Sequence, residues 1–307
     1  MNASSSTAVA ITSEAGTLAA VLDEPATAAR ATVLLIPGSG PVDRDGNAKQ
    51  LKPDIQRQLS VALVGAGLAT LRWDKRGVGH SDGSFFATGF HDGVVDALRV
   101  VDWALALGRP VLVIGHSEGA AIASRLAAER PALAGVALLS GYARSGKEVL
   151  RWQATALAGQ LPWLVRGILR LMRTDLSRQA EKTRAKILAT TTDVTRVGGR
   201  KLNAKWFREF LAYDPRVDLA ASSLPMLALT GSFDLQVPPE DLDAIAAARI
   251  APVETVLVEG LSHILRKQNM PSVQAYKKDV QRPVESEVID LLVAWVLQCV
   301  GRTREEA

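Results

Sequence analysis

The chain has little of what several kinds of chemistry require. Among its 307 residues there is one cysteine, Cys299, which cannot form an internal disulfide. The four histidines, His80, His91, His116 and His263, follow no His-Glu-x-x-His spacing, and no Cys-x-x-Cys pair occurs. A zinc site therefore has scant material, and no metal is expected. The longest nearly uncharged apolar run, Leu291 to Val300, falls well short of the roughly 20 residues that a membrane span needs. It reads as a buried C-terminal helix, so no integral-membrane segment is expected. The opening Met-Asn-Ala-Ser-Ser-Ser lacks the basic start and apolar stretch of a signal peptide, and a cytoplasmic location is expected. With 48% of its residues hydrophobic, the chain can bury one large core and a modest second unit, which excludes disorder.

Charge is present but unevenly placed. The formal net charge is +4, yet residues 141–219 hold 16 Lys or Arg against 7 Asp or Glu, leaving the remainder at −5. Such a basic segment could attract anionic substrates, a membrane surface or nucleic acid. The plainer reading, a solvated face of amphipathic helices, is the one expected, and no nucleic-acid partner is expected.

Short β-branched or Leu-rich runs recur at 32–36, 69–72, 111–114, 135–139, 226–230 and 254–258, each bounded by Gly, Pro or Asp. They read as fully buried strands. Helical spacing fills the intervals at 55–64, 93–107, 120–128, 242–248 and 288–300. This alternation predicts an α/β protein with a mostly parallel central sheet flanked by helices, because parallel strands need crossover connections. Two earlier runs, 8–12 and 17–22, flank Glu14-Ala15-Gly16 and predict an antiparallel hairpin. The rhythm breaks between Gly141 and Leu224, a stretch that carries Trp152, Trp163, Trp206 and the basic excess. The expected organisation is a core formed by 1–140 and 225–307, with 141–224 inserted as a helical cap over a cleft.

Gly115-His116-Ser117-Glu118-Gly119 has the form of a nucleophile elbow, a strained strand-to-helix turn that lifts a serine hydroxyl clear of the sheet. Glycine is needed two residues either side, where a side chain would collide as the backbone doubles back. Val111 to Ile114 supplies the strand before it and Ala120 to Ser124 a small-residue helix start after it. Ser117 is the candidate nucleophile. Such a hydroxyl needs a base, and histidine titrates in the right range. His263 lies after the last predicted strand, where the base of this arrangement belongs. His116 sits within the elbow, beside Ser117. Asp234, after the strand that ends near Gly231, is placed to orient the imidazole; Asp241 and Asp243 are expected within the next helix, turned away.

Acyl transfer also needs backbone donors for the developing oxyanion. Glu118, following the nucleophile, supplies one. The other belongs to Pro37-Gly38-Ser39-Gly40-Pro41, in which neither proline can donate; Gly38, Ser39 and Gly40 remain, and Ser39 is the candidate only by its resemblance to enzymes that donate from the residue after this glycine. Arg44 and His116 are candidates for contacting substrate, although the charges of Val42 to Asn47 pairing to stiffen the turn is the favoured reading for Arg44. The glycine-rich 74–81 loop lacks the spacing of a phosphate- or dinucleotide-binding loop.

Together the elbow, Arg76-Gly-Val-Gly-His-Ser81, Gly231-Ser-Phe-Asp234 and Gly260-Leu-Ser-His263 resemble the α/β-hydrolase superfamily over nearly the whole chain. Pro37 to Pro41 followed by Asp43-Arg-Asp-Gly-Asn47 resembles a bacterial group of carboxylesterases and serine-aminopeptidase-like hydrolases. The resemblance implies the α/β-hydrolase fold, a helical cap, catalysis without a cofactor, and a small-molecule ester as substrate. Thioester, amide or lactone cleavage and acyl transfer use the same parts.

Overall fold

A computed structural model describes residues 4–159 and 176–305. Eight strands form one sheet in the order β1-β2-β4-β3-β5-β6-β9-β10. The strands β1 (Ser5–Ser13) and β2 (Gly16–Glu24) form the expected hairpin, and β2 joins β4 (Ala69–Trp73) antiparallel. From β4 onward all pairings are parallel, through β3 (Thr32–Ile36), β5 (Val111–His116), β6 (Gly135–Leu139), β9 (Met226–Gly231) and β10 (Glu254–Val258).

Because successive side chains of a strand point to opposite faces, the apolar runs split between two cores. Leu34, Ile36, Val111 and Val113 pack on one face beneath α2 (Phe90–Leu105) and α3 (Glu118–Glu129). Val33, Leu35, Leu112 and Ile114 pack on the other against α1 (Ile55–Gly65) and the C-terminal helix Ser286–Glu305. A sheet covered on both faces explains why its central strands read as unbroken hydrophobic runs. The strand at 254–258 departs from that reading: β10 is the sheet edge, and Leu257 is 53% exposed.

Between β6 and β9 the chain leaves the sheet. It forms α4 (Gly146–Gly159), α5 (Leu176–Leu188), a hairpin of β7 (Val194–Val197) and β8 (Arg200–Asn203), then α6 (Ala204–Ala212) and α7 (Pro215–Ala221). Trp163 lies outside the described residues. The hairpin adds strand to a segment read as helical. Its turn is Gly198-Gly199, both with positive φ, the backbone that a two-residue hairpin turn demands. No helix among the described residues is long and apolar enough to cross a membrane. The elements α8 (Asp241–Ala248) and α9 (Tyr276–Asp279) precede the last helix, α10 (Ser286–Glu305).

Candidate active site

The site gathers where β5, β6, β9 and β10 end. Ser117 separates β5 from α3 with φ 58° and ψ −117°, a sparsely populated conformation that costs on the order of 1–3 kcal/mol and persists only where its surroundings enforce it. Here they do. A Cβ on Gly115 would overlap the Gly119 carbonyl, and one on Gly119 would overlap the Ile36 carbonyl, so the turn closes only with glycine at both places. The Ser117 N–H donates to Leu139 O at 2.9 Å, fixing the turn to β6.

Asp234 and His263 meet. After β9 the chain turns through Ser232 and Phe233, and the buried Asp234 carboxylate receives three donors: the Gln236 N–H at 2.7 Å, the Val237 N–H at 2.9 Å and His263 Nδ1 at 2.8 Å. Burial alone would raise the Asp234 pKa; the adjacent His263 ring, its hydrogen bond and the Gln236 amide outweigh that, and the carboxyl titrates below its ordinary range. An acceptor-only carboxylate on Nδ1 selects the tautomer with the proton there, so that Nε2 is the nitrogen through which the neutral ring can take a proton.

The backbone around His263 is clamped by two groups. His116 Nε2 lies 2.8 Å from the His263 carbonyl oxygen, and the two rings lie 4.9 Å apart. Burial, then the neighbouring His263, lowers the His116 pKa to about 3. His116 is therefore neutral and donates from Nε2, because a carbonyl only accepts. Arg266, fully buried, donates to the carbonyls of Ile264, Pro53 and Arg282, and burial lowers its pKa to about 10. Among the described residues no hydrogen bond joins Ser117 Oγ to His263; such contacts commonly tighten only when substrate is bound.

The loop after β3 passes Ser117: a Cβ on Gly38 would lie 3.3 Å from Ser117 Cβ. Glu118 is the first residue of α3, and the first N–H groups of a helix have no intrahelical acceptor. Ser39, Gly40 and Glu118 line a cavity of about 360 Å³. Its wall is otherwise mainly apolar, with Trp73, Phe85, Phe90, Ile122, Trp206 and Phe207 prominent. The carboxylates on that wall are already matched. Glu118 pairs with Lys75 at 3.0 Å and Asp96 with Arg76 at 2.6 Å.

The family described as Serine aminopeptidase, S33, a group of hydrolases, matches residues 55–267. The chain belongs to that family. Among solved structures, the S33 chain is similar to Est1E from Butyrivibrio proteoclasticus bound to ferulic acid, at 21% identity and TM-score 0.64, covering 95% of this chain and 99% of that one. It is also similar to the esterase domain of a Rhodothermus marinus protein, at 22% identity, TM-score 0.61 and coverage of 96% and 99%. A thermophilic esterase from Thermogutta terrifontis, solved with malate bound, matches at 20% identity and TM-score 0.57, covering 95% and 99%. At these identities the likeness is one of fold, the α/β-hydrolase fold. No curated protein sequence matches significantly.

Two candidate contacts of this S33 chain lie elsewhere than in the cavity wall. The Arg44 guanidinium pairs with Asp74 at 2.5 Å and its N–H donates to the same carboxylate, and His116 is occupied by the His263 carbonyl. Sequence reasoning passed over Lys75, Arg266 and Trp206 as site residues. Only Trp206 had a signal, as one of the tryptophans of the basic segment; the others are recognised by partners that lie mostly distant in sequence.

Proposed function

We propose that this chain is a carboxylic-ester hydrolase acting through an acyl-enzyme on Ser117, with residues 141–224 serving as a cap that completes the acyl pocket. The observation that carries the reading is the Asp234–His263 pair at the end of the sheet, beside a strained serine at a strand-to-helix turn. Ser117 Oγ attacks the acyl carbonyl while His263 Nε2 takes its proton, and buried Asp234 stabilises the imidazolium. The Ser39 and Glu118 N–H groups receive the oxyanion. His263 then protonates the departing alcohol, and water repeats the sequence to free the acid.

The cavity supports a neutral, apolar acyl group. At about 360 Å³ it sits near the low end of the roughly 300–1,000 Å³ typical of small-molecule sites, which suits small or medium acyl groups. An aminopeptidase substrate would bring an ammonium group, and the carboxylates on the wall are committed to Lys75 and Arg76. A relative of the same fold is known with an aromatic acid bound, which agrees with an aromatic-lined pocket.

Hydrolysis of nitrophenyl esters from acetate to decanoate, an aromatic ester and an aminoacyl anilide tests this. Medium or aromatic acyl groups should give the highest kcat/KM, the aminoacyl anilide the lowest, and Ser117→Ala should lose on the order of 10³-fold or more with every ester. Undiminished turnover in Ser117→Ala, or preference for the aminoacyl anilide, would overturn it.

A further inference from the structure

Lys75 stands beside the oxyanion loop and is used by none of the steps above. Its Nζ donates to the Gly38 carbonyl at 2.6 Å and to Glu118 Oε1 at 3.0 Å, and its side chain is 17% exposed. Trp206 Nε1, from α6, donates to the other Glu118 oxygen at 2.7 Å. One cation thus joins a carbonyl of one oxyanion loop to the side chain of the residue whose N–H is the other donor.

The Gly38 carbonyl is half of the peptide unit whose other half is the Ser39 N–H. No peptide bond among the described residues is cis, and in a planar trans unit the carbonyl and the following N–H point in opposite directions. Fixing the oxygen on Lys75 therefore fixes the direction of the Ser39 N–H. It also polarises the unit, since a charge-assisted bond to the carbonyl makes the amide hydrogen more positive and a hydrogen bond from it stronger, by about 10–30%. The loop needs such a constraint: glycine flanks Ser39 on both sides, and the Ser39 N–H has no partner of its own among the described residues. A largely buried ion pair is a poor source of stability, because desolvation offsets its attraction. That favours a role in geometry.

We propose that Lys75 is a positioning residue for the oxyanion hole: it aims and polarises the Gly38–Ser39 peptide, with Glu118 and Trp206 holding the ammonium in place. This rests on the ester-hydrolase reading above. The test compares wild type, Lys75→Met and the double variant Lys75→Met/Glu118→Gln, which leaves no unpaired charge. Each is measured for kcat and KM on a neutral ester, affinity for a boronic acid that mimics the tetrahedral state, and Tm.

Lys75→Met should lower kcat about 10- to 100-fold with KM changed less than about threefold, and weaken the boronic acid by the same factor as kcat/KM. The double variant should regain Tm but not kcat. Wild-type kcat in both variants, kcat returning together with Tm, or a lower kcat with undiminished boronic-acid affinity would each overturn the proposal. Fluorophosphonate labelling of wild-type Ser117 separates the two readings: without labelling the hydrolase mechanism fails, whereas labelling with any overturning result removes the role of Lys75 alone.

Discussion

The two sides of the site are held in different ways. On the Asp234–His263 side, backbone groups do most of the fixing: two main-chain amides on the carboxylate, the His116 ring on the His263 carbonyl, and Arg266 on three carbonyls of the surrounding loops. On the cavity side, side chains from one helix and its cap hold the inserted segment to the core. Asn203 Nδ2 donates to the Phe85 and Thr88 carbonyls, Lys205 pairs with Asp92, and Glu209 accepts from the His91 N–H. The Asp234–His263 geometry therefore depends on the loops that follow β9 and β10, and the pocket on a few replaceable polar anchors. Substitutions on the first side should strike kcat, and those at the anchors of the inserted segment KM.

Asn203→Ala would break this division most plainly if the division is wrong. Asn203 caps α6 through the Trp206 N–H and bridges to 85–88, so its loss should cost about 1–2 kcal/mol of stability. It should also raise KM for a bulky acyl ester several-fold while changing kcat little. Steady-state kinetics with thermal melts decide it; a kcat loss as large as the KM rise would show that the two sides are not separable.

A smaller effect sharpens the comparison at the joint between the segments. Arg144, just after β6, reaches Asp241 at the start of α8 at 2.7 Å. Burial dominates there, and despite the Arg144 charge the Asp241 pKa rises from 3.8 to about 6. With the folded pKa above the unfolded one, the protonated form is favoured by folding. That stability is fully present below about pH 4 and is lost as pH rises through about 6. Asp241→Asn, which resembles the protonated form, should gain about 1 kcal/mol at pH 8 and nothing below pH 4, once the forfeited, partly exposed Arg144 pair is discounted. Tm measured against pH checks this, and a gain independent of pH would contradict it.

The same division governs what could be read from the sequence. The mostly parallel sheet, the elbow and the meeting of Asp234 with His263 were legible because each is encoded locally, by an apolar run ending in a loop with the required residue. The exposure of β10 was not: its Thr-Val-Leu-Val differs little from the Thr-Val-Leu-Leu of central β3, and only the missing neighbour separates them. The 194–203 hairpin had a local signal in Gly198-Gly199, masked by helical spacing on either side. The Lys75–Glu118–Trp206 network and the Arg266 staple join residues up to 213 positions apart, and no local pattern announces such partners.

In the proposed mechanism Ser117 is made nucleophilic by the neighbouring His263 imidazole. The most direct test is reaction with a fluorophosphonate followed by mass mapping of the adduct, in wild type and in His263→Ala. A single adduct on Ser117, formed on the order of 10³-fold more slowly without the imidazole, is the predicted result. An adduct on another residue, no adduct, or equal rates in the two proteins would contradict it.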